Sequence, residues 1–297
     1  MADDSAVGVR PNWVGDELFP FQSRFVELDG HVIHYVDEGS GPVLLMLHGN
    51  PTWSFMYRQV IMSLRDRFRC IAFDHPGFGL STAAAGYGHM PDDHAAVAVA
   101  FLDHLGLSDL TLLLHDWGGP IGLRAAEQRP ELFSRLVIAN TWGWPLNGDF
   151  RVELAARLIG GPVGRELTRR SHHALSMMMQ AGHRRRRLSP EELTHYCNAL
   201  PSARRRQAAA VLPEAIIGRR DFFATVERNL IVLEHLPVLI IWADADVALG
   251  DKERRRWEST FPDHSTVVLH GAGHFVPSDA PDEYSAAVAG WYNAPRP

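Results

Sequence analysis

The chain has 297 residues but only two cysteines, Cys70 and Cys197, far apart in sequence. Two distant thiols make no disulfide framework, which excludes a disulfide-stapled scaffold and makes a reducing cytoplasm the simpler setting. No apolar run approaches the roughly 18 residues that a membrane-spanning helix needs. The opening Met1-Ala2-Asp3-Asp4-Ser5 is acidic and lacks the apolar stretch of a signal peptide, so a soluble, cytoplasmic protein without a membrane partner is expected. There is no internal repeat and no low-complexity segment. Nor is there an excess of positive charge: 35 acidic residues face 29 basic ones, a net charge of −6 that argues against nucleic acid as a partner. His172-His173 lacks metal-ligand spacing and is expected to be structural.

What remains is the composition of a globular enzyme-sized chain, 46% apolar and 22% charged. At this length roughly three quarters of the unfolded surface can be buried, so the core needs no staples. Continuous apolar runs recur at Val43–His48, Cys70–Phe73, Leu110–His115, Leu136–Ala139, Val238–Trp242 and Thr266–Leu269. Runs of this kind suit strands covered on both faces. Helix-length stretches such as Met90–Leu105 and Gly119–Arg129 lie between most of them, which predicts an α/β fold with a mostly parallel central sheet flanked by helices.

Residues 145–230 break the rhythm. They separate two sheet strands, contain no convincing strand, and are helical in composition at Arg151–Ile159, Glu191–Ala199 and Ala203–Val211, with loops at Gly160-Gly161-Pro162 and Gly182. A structureless loop of that length is implausible in a compact domain. The segment is therefore expected to be an inserted helical cap, 145–230, on a core domain formed by 1–144 and 231–297. A cap can close an apolar pocket over the strand ends and exclude water.

The chemistry concentrates at Leu112-Leu113-Leu114-His115-Asp116-Trp117-Gly118-Gly119-Pro120, where an apolar strand runs into a polar residue, two glycines and a helix. This is the layout of a nucleophile elbow with Asp116 in place of serine, although Leu114 stands where the upstream glycine is usual. An ionised carboxylate needs no base to attack a saturated carbon, and the ester it forms must then be hydrolysed. The competing role for Asp116 is that of a helix N-cap. His48-Gly49-Asn50-Pro51 follows the strand at 43–48, where hydrolases of this fold supply an oxyanion N–H. Asn50 and Trp117 would give the two backbone donors, although Gly-Asn-Pro is also simple turn chemistry. Gly271-Ala272-Gly273-His274-Phe275 follows the last strand and makes His274 the expected general base. Its orienting acid is sought in Trp242-Ala243-Asp244-Ala245-Asp246, with Asp246 preferred over Asp244 for lying further into the loop. The segment Asn140-Thr141-Trp142 offers no carboxylate. The order Asp116, Asp246, His274 is nucleophile, acid, base.

At these residues the chain resembles the haloalkane dehalogenases. The resemblance rests on His48–Arg58, on Asp74-His75-Pro76-Gly77-Phe78-Gly79-Leu80-Ser81 and on His115-Asp116-Trp117-Gly118-Gly119, and it spans residues 25–292. It implies an α/β-hydrolase fold in which the Asn50 amide and the Trp117 indole bind the leaving halide. It implies a small apolar halogenated substrate, and no metal or organic cofactor. With an acid after the seventh strand, the pattern is similar to the third subfamily, whose members often self-associate and can be weakly active, so a homo-oligomer is within expectation. Epoxide hydrolases share the His-Asp-Trp-Gly motif but use two lid tyrosines, and residues 145–230 contain only Tyr196. A binding protein on the same fold is the reading from a different class.

The arginine runs at 184–187, 204–206 and 254–256 are expected to be solvated faces. Ser189-Pro190-Glu191-Glu192 looks like a helix start. Apolar character alone nominates Phe150, Leu154, Leu158, Met177, Met178 and Phe222 for the pocket wall, with Val247 and Phe275 beside the acid and the base.

Overall fold

A computed structural model describes residues 8–294; the acidic Met1–Ser5 lies outside them. An eight-stranded sheet runs through the centre in the order β1-β2-β4-β3-β5-β6-β7-β8. Its strands are β1 (Arg24–Leu28), β2 (His31–Glu38), β3 (Val43–Leu47), β4 (Arg69–Phe73), β5 (Leu110–His115), β6 (Phe133–Ala139), β7 (Val238–Ala243) and β8 (His264–Leu269). Strands β3 to β8 are parallel, whereas β1 and β2 form an antiparallel edge paired to β4.

The helices are α1 (Arg58–Leu64), α2 (Pro91–Leu105), α3 (Gly118–Ala126), α4 (Phe150–Gly160), α5 (Pro162–Arg170), α6 (His172–Gly182), α7 (Pro190–Asn198), α8 (Gln207–Gly218), α9 (Arg220–Asn229), α10 (Asp251–Thr260), α11 (Val276–Asp279) and α12 (Pro281–Asn293). None of these is long and apolar enough to cross a membrane. The period of two along each strand divides the core between two layers. In β3, Leu45 and Leu47 join the cluster that contains Leu112, Leu114 and Ile138, while Leu44 and Met46 join the one that contains Leu113, Val137 and Ile241. Both faces of β5 are buried, which is why its sequence is apolar without alternation.

The six expected strands are present, with β6 and β8 beginning earlier than their apolar runs suggest. Between β6 and β7, residues 150–229 hold six helices and no strand. The third expected helix is shifted: residues 203–206 form a turn and α8 starts at Gln207. Ser189 starts α7 as read from sequence, through a reciprocal pair in which its Oγ accepts the Glu192 N–H (3.2 Å) and Glu192 accepts the Ser189 N–H (2.8 Å).

The arginine runs are not simply solvated, and that expectation is corrected. Arg185 pairs with Glu283 and donates to the His270 carbonyl, while Arg186 forks onto Glu192 (2.9 and 2.9 Å). Arg205 donates to the carbonyls of Gly79 and Ser81 (2.6 Å each), and the buried Arg206 donates to those of Arg169 and Leu200. Arg256 pairs with Glu227 and lies 4.3 Å above the Trp144 ring. In each case the guanidinium fastens one segment to another, a use that planar multi-donor geometry favours.

Candidate active site

The carboxyl ends of five adjacent parallel strands carry the polar groups at this end of the sheet, where open α/β sheets bind their ligands. Asn50 follows β3, Asp116 follows β5, Asn140 follows β6, Asp246 follows β7 and His274 follows β8. Asp116 sits on the tight turn into α3 with φ +49°, a left-handed conformation that a non-glycine residue holds at a cost of about 1 kcal/mol or more. Cross-strand contacts maintain it. The Asp116 N–H donates to the Asn140 carbonyl (3.2 Å), and the Asp116 carbonyl accepts from Thr141 Oγ1 (2.5 Å).

Two glycines make room. A Cβ on Gly49 would lie 2.2 Å from Asp116 Oδ1, and one on Gly118 would lie 2.3 Å from the Leu47 carbonyl oxygen. Trp117, not Asp116, occupies the N-cap position of α3. The Asp116 side chain instead accepts the Asn50 N–H at Oδ1 (2.7 Å), which removes the capping role as its explanation.

His274 lies between two carboxylates. Its Nδ1 donates to Asp246 Oδ2 (2.8 Å), and its Nε2 is 3.3 Å from Asp116 Oδ2. Burial pulls the imidazolium down, but the charges and hydrogen bonds of Asp246 and Asp116 outweigh it and hold the His274 pKa well above 6.5. Burial by itself would raise the Asp246 carboxyl. The His274 charge, its hydrogen bond and those from the Ala248 N–H and the Asn140 amide keep it below the usual carboxylate value. Asp244 is not part of this group. It accepts from the exposed His270 ring (2.7 Å) and the Gly271 N–H (2.6 Å).

Three supporting residues escaped sequence reasoning. Asn140 stands on the loop that offered no carboxylate. Its amide nitrogen donates to Asp246 Oδ2 (2.9 Å) and to the Ala243 carbonyl (3.1 Å), while its oxygen accepts the Ala243 N–H (2.8 Å). His115 donates from Nε2 to the His274 carbonyl (2.7 Å), and burial together with the His274 charge pushes its own pKa down to about 4, so it serves as a neutral donor. Asp279, buried at the end of α11, accepts four backbone N–H groups: Gly273 (2.7 Å), Arg184 (3.0 Å), Arg185 (3.1 Å) and Arg186 (3.2 Å). It thereby ties the loop after α6 to the residue preceding His274. The only sequence signal for any of these was position, Asn140 and His115 each lying at a strand end.

The Asn50 amide nitrogen donates to the Ala209 carbonyl of α8 (3.2 Å), and its Oδ1 is buried without a hydrogen-bond partner. Trp117 is 2% exposed and packs edge-on against Trp142 (ring centroids 5.1 Å) and beside Phe223 (5.8 Å). The expected pocket wall is partly corrected. Phe150, Leu154, Leu158, Met177 and Val247 face solvent, with exposures of 76, 45, 65, 59 and 83%. Phe222 and Phe275 are buried, and Phe275 packs against His274 and His183.

A parallel sheet with an aspartate on its strand-to-helix elbow, backed by a histidine and a second aspartate in that chain order, defines an α/β hydrolase. The family described as alpha/beta hydrolase fold matches residues 42–281. The chain is 40% identical over 274 residues to haloalkane dehalogenase 2 of Mycobacterium tuberculosis strain H37Rv, covering 92% of this chain and 95% of the relative. It is 30% identical over 281 residues to a cis-3-alkyl-4-alkyloxetan-2-one decarboxylase of Shewanella oneidensis, covering 90% of this chain and 87% of that one. The crystal structure of an ancestral haloalkane dehalogenase superposes with a TM-score of 0.82 at 26% identity, covering 90% of this chain and 97% of the other. The chain belongs to the haloalkane dehalogenase family.

Proposed function

We propose that this enzyme hydrolyses haloalkanes to alcohol, halide and a proton through an ester of Asp116. The observation that carries the reading is the Asp116 carboxylate, strained onto its elbow with Oδ1 on the Asn50 N–H and Oδ2 facing His274. Asp116 Oδ2 attacks the carbon bearing the halogen, and the carbon–halogen bond breaks with its electron pair leaving on the halide. The Asn50 amide and the Trp117 indole are the donors we assign to that anion, because a dry site beside a carboxylate otherwise repels it. The helices of residues 150–229 act as the lid that keeps water from the alkylation step.

Electrostatics then orders the two steps. The charge and hydrogen bond of Asp116 favour the protonated form of His274, which is no base. Alkylation turns Asp116 into a neutral ester, which removes its charge and its hydrogen bond to Nε2, two of the influences that raise the imidazole. The His274 pKa falls, which favours loss of its proton to solvent. The neutral ring then takes a proton from water as the water oxygen bonds the ester carbonyl carbon. The bond from that carbon to Oδ2 breaks, the alcohol leaves on Oδ2 with water's other proton, and the water oxygen stays in the regenerated Asp116 carboxylate. The Asn50 N–H, already on Oδ1, stabilises the oxyanion. Asp246 and Asn140 hold the ring throughout.

Tyr196, the single tyrosine of the lid, is fully buried and packed edge-on against Phe55 (5.2 Å), which leaves no paired tyrosines for an epoxide oxygen. The test is halide release from bromo- and chloroalkanes, with an epoxide and a 3,4-dialkyl β-lactone in parallel and Asp116→Asn as control. Halide released by wild type, and reduced more than about a thousandfold in Asp116→Asn, is expected. Diol formation without halide, or carbon dioxide from the lactone without halide, would overturn the assignment in favour of the corresponding relative's chemistry.

A further inference from the structure

Helix α8 carries a proline in its interior, Pro213. Such a residue costs a helix about 3 kcal/mol, because it has no N–H and its ring presses on the carbonyl four residues earlier. That carbonyl belongs to Ala209. In an uninterrupted helix it would accept the N–H of residue 213, and proline has none to give.

The Ala209 carbonyl is the acceptor used by the Asn50 amide nitrogen, at 3.2 Å. Ala209 and Pro213 are both buried, so water is a poor substitute partner for that carbonyl. Among the described residues no other hydrogen bond sets the amide's orientation: Asn50 Oδ1 is buried without a hydrogen-bond partner, and the Asn50 backbone N–H is committed to Asp116. A carbonyl only accepts. A flipped amide would set two oxygens against each other, so Ala209 selects the nitrogen edge, uses one of its hydrogens and leaves the second.

We propose that Pro213 is a positioning residue for the leaving-group site. By withholding an N–H from the Ala209 carbonyl, it fixes the Asn50 amide with one N–H free to donate to the departing halide. This rests on the proposed dehalogenation only for the identity of the anion. A helix-internal proline that lowers local stability at a functional site is the kind of conflict that function maintains.

The test measures chloride and bromide binding to the full chain, without substrate, for wild type, Pro213→Ala, Asn50→Ala and the double variant. Melting temperatures and bromoalkane turnover are recorded beside them. Pro213→Ala restores an N–H that recaptures the Ala209 carbonyl. Its melting temperature should hold or rise while halide affinity falls about tenfold, the loss expected for one oriented hydrogen bond to an anion. Pro213→Ser, which also restores the N–H, should weaken binding alike. The double variant should bind no more weakly than Asn50→Ala alone, because the two residues act on one contact. Wild-type affinity in Pro213→Ala, or additive losses in the double variant, would overturn the positioning role even with dehalogenation intact. A wild type that binds no halide and releases none would overturn both readings.

Discussion

The two halves of the helical segment between β6 and β7 are built differently. The inner half, from the end of α6 to α8, is fixed to the core by buried polar contacts. Asp279 gathers four backbone N–H groups, Glu192 lies between Arg58 and Arg186, and Asn50 holds the Ala209 carbonyl. The outer half, α4 and α5, carries i,i+3 and i,i+4 pairs such as Glu153–Arg157, Glu166–Arg169 and Glu166–Arg170, each with its arginine exposed to solvent. Exposed pairs of that kind contribute little, typically below about 1 kcal/mol, whereas breaking a buried one is costly. The inner half therefore behaves as part of the site and the outer half as its replaceable shell.

Asp279→Ala is the harshest way to break this contrast. It leaves four N–H groups without their acceptor and should cost about 3 kcal/mol, read from the shift of a urea midpoint. The Arg184–Arg187 run, now held against the core, should become a site of rapid tryptic cleavage. Because Gly273 precedes His274, the base of the proposed mechanism, ester hydrolysis should slow more than halide release, so that alkylated enzyme accumulates. Equal slowing of both steps, with no new tryptic cut, would remove Asp279 from the inner fastening.

Acid should act on the same half by a gentler route. Burial, the largest influence, pushes the His183 pKa down to about 4, and its ring ties α6 to α11 by donating to the Met179 carbonyl (2.7 Å) and accepting from Ser278 Oγ (3.0 Å). His115 is lowered to the same value inside the core. Their folded values lie below the unfolded value of about 6.5, so the unfolded chain binds more protons as pH falls. The stability they contribute is fully present above about pH 6.5 and is lost down to about pH 4. At pH 5 the loss is about 2 kcal/mol for a fully buried ring such as His115. His274 has the opposite sign, its contribution being present below about 6.5 and lost as pH rises through its elevated folded value. Hydrogen exchange at pH 7 and pH 5 should show residues 179–186 loosening while α4 and α5 change little. Uniform loosening would erase the distinction.

The same division explains what could be anticipated from sequence. Strands β3 to β7 were legible because burial on both faces leaves an unbroken apolar run, and the half-exposed edge strand β8 through its short run Thr266–Leu269. The antiparallel edge β1–β2 was not, since Arg24, Glu27, His34 and Asp37 interrupt its pattern. Asp116 and His274 were legible through the turns around them, and Asp246 through its place in the loop. Asn140, Asp279 and Pro213 act through partners remote in sequence, Asp246, the loop after α6, and Asn50 by way of Ala209. No local pattern marks such pairings. The arginine runs misled for a related reason, since composition shows charge but not which carboxylate or carbonyl the fold brings beside it.

The outer half offers the smallest effect and the sharpest control. Phe150, Leu154 and Leu158 recur every four residues on one side of α4, and all three face solvent. Replacing Leu154 and Leu158 by glutamine changes side chains that are 45 and 65% exposed, so each should change stability by no more than about 0.5 kcal/mol and leave turnover within twofold. Sedimentation velocity of the wild type and the double variant completes the measurement. Unchanged stability, turnover and sedimentation would place the stripe on a free surface, as the exposures imply. A lower sedimentation coefficient or a clear loss of stability would mean that another copy of the chain covers α4, and the contrast would then hold only within a single protomer.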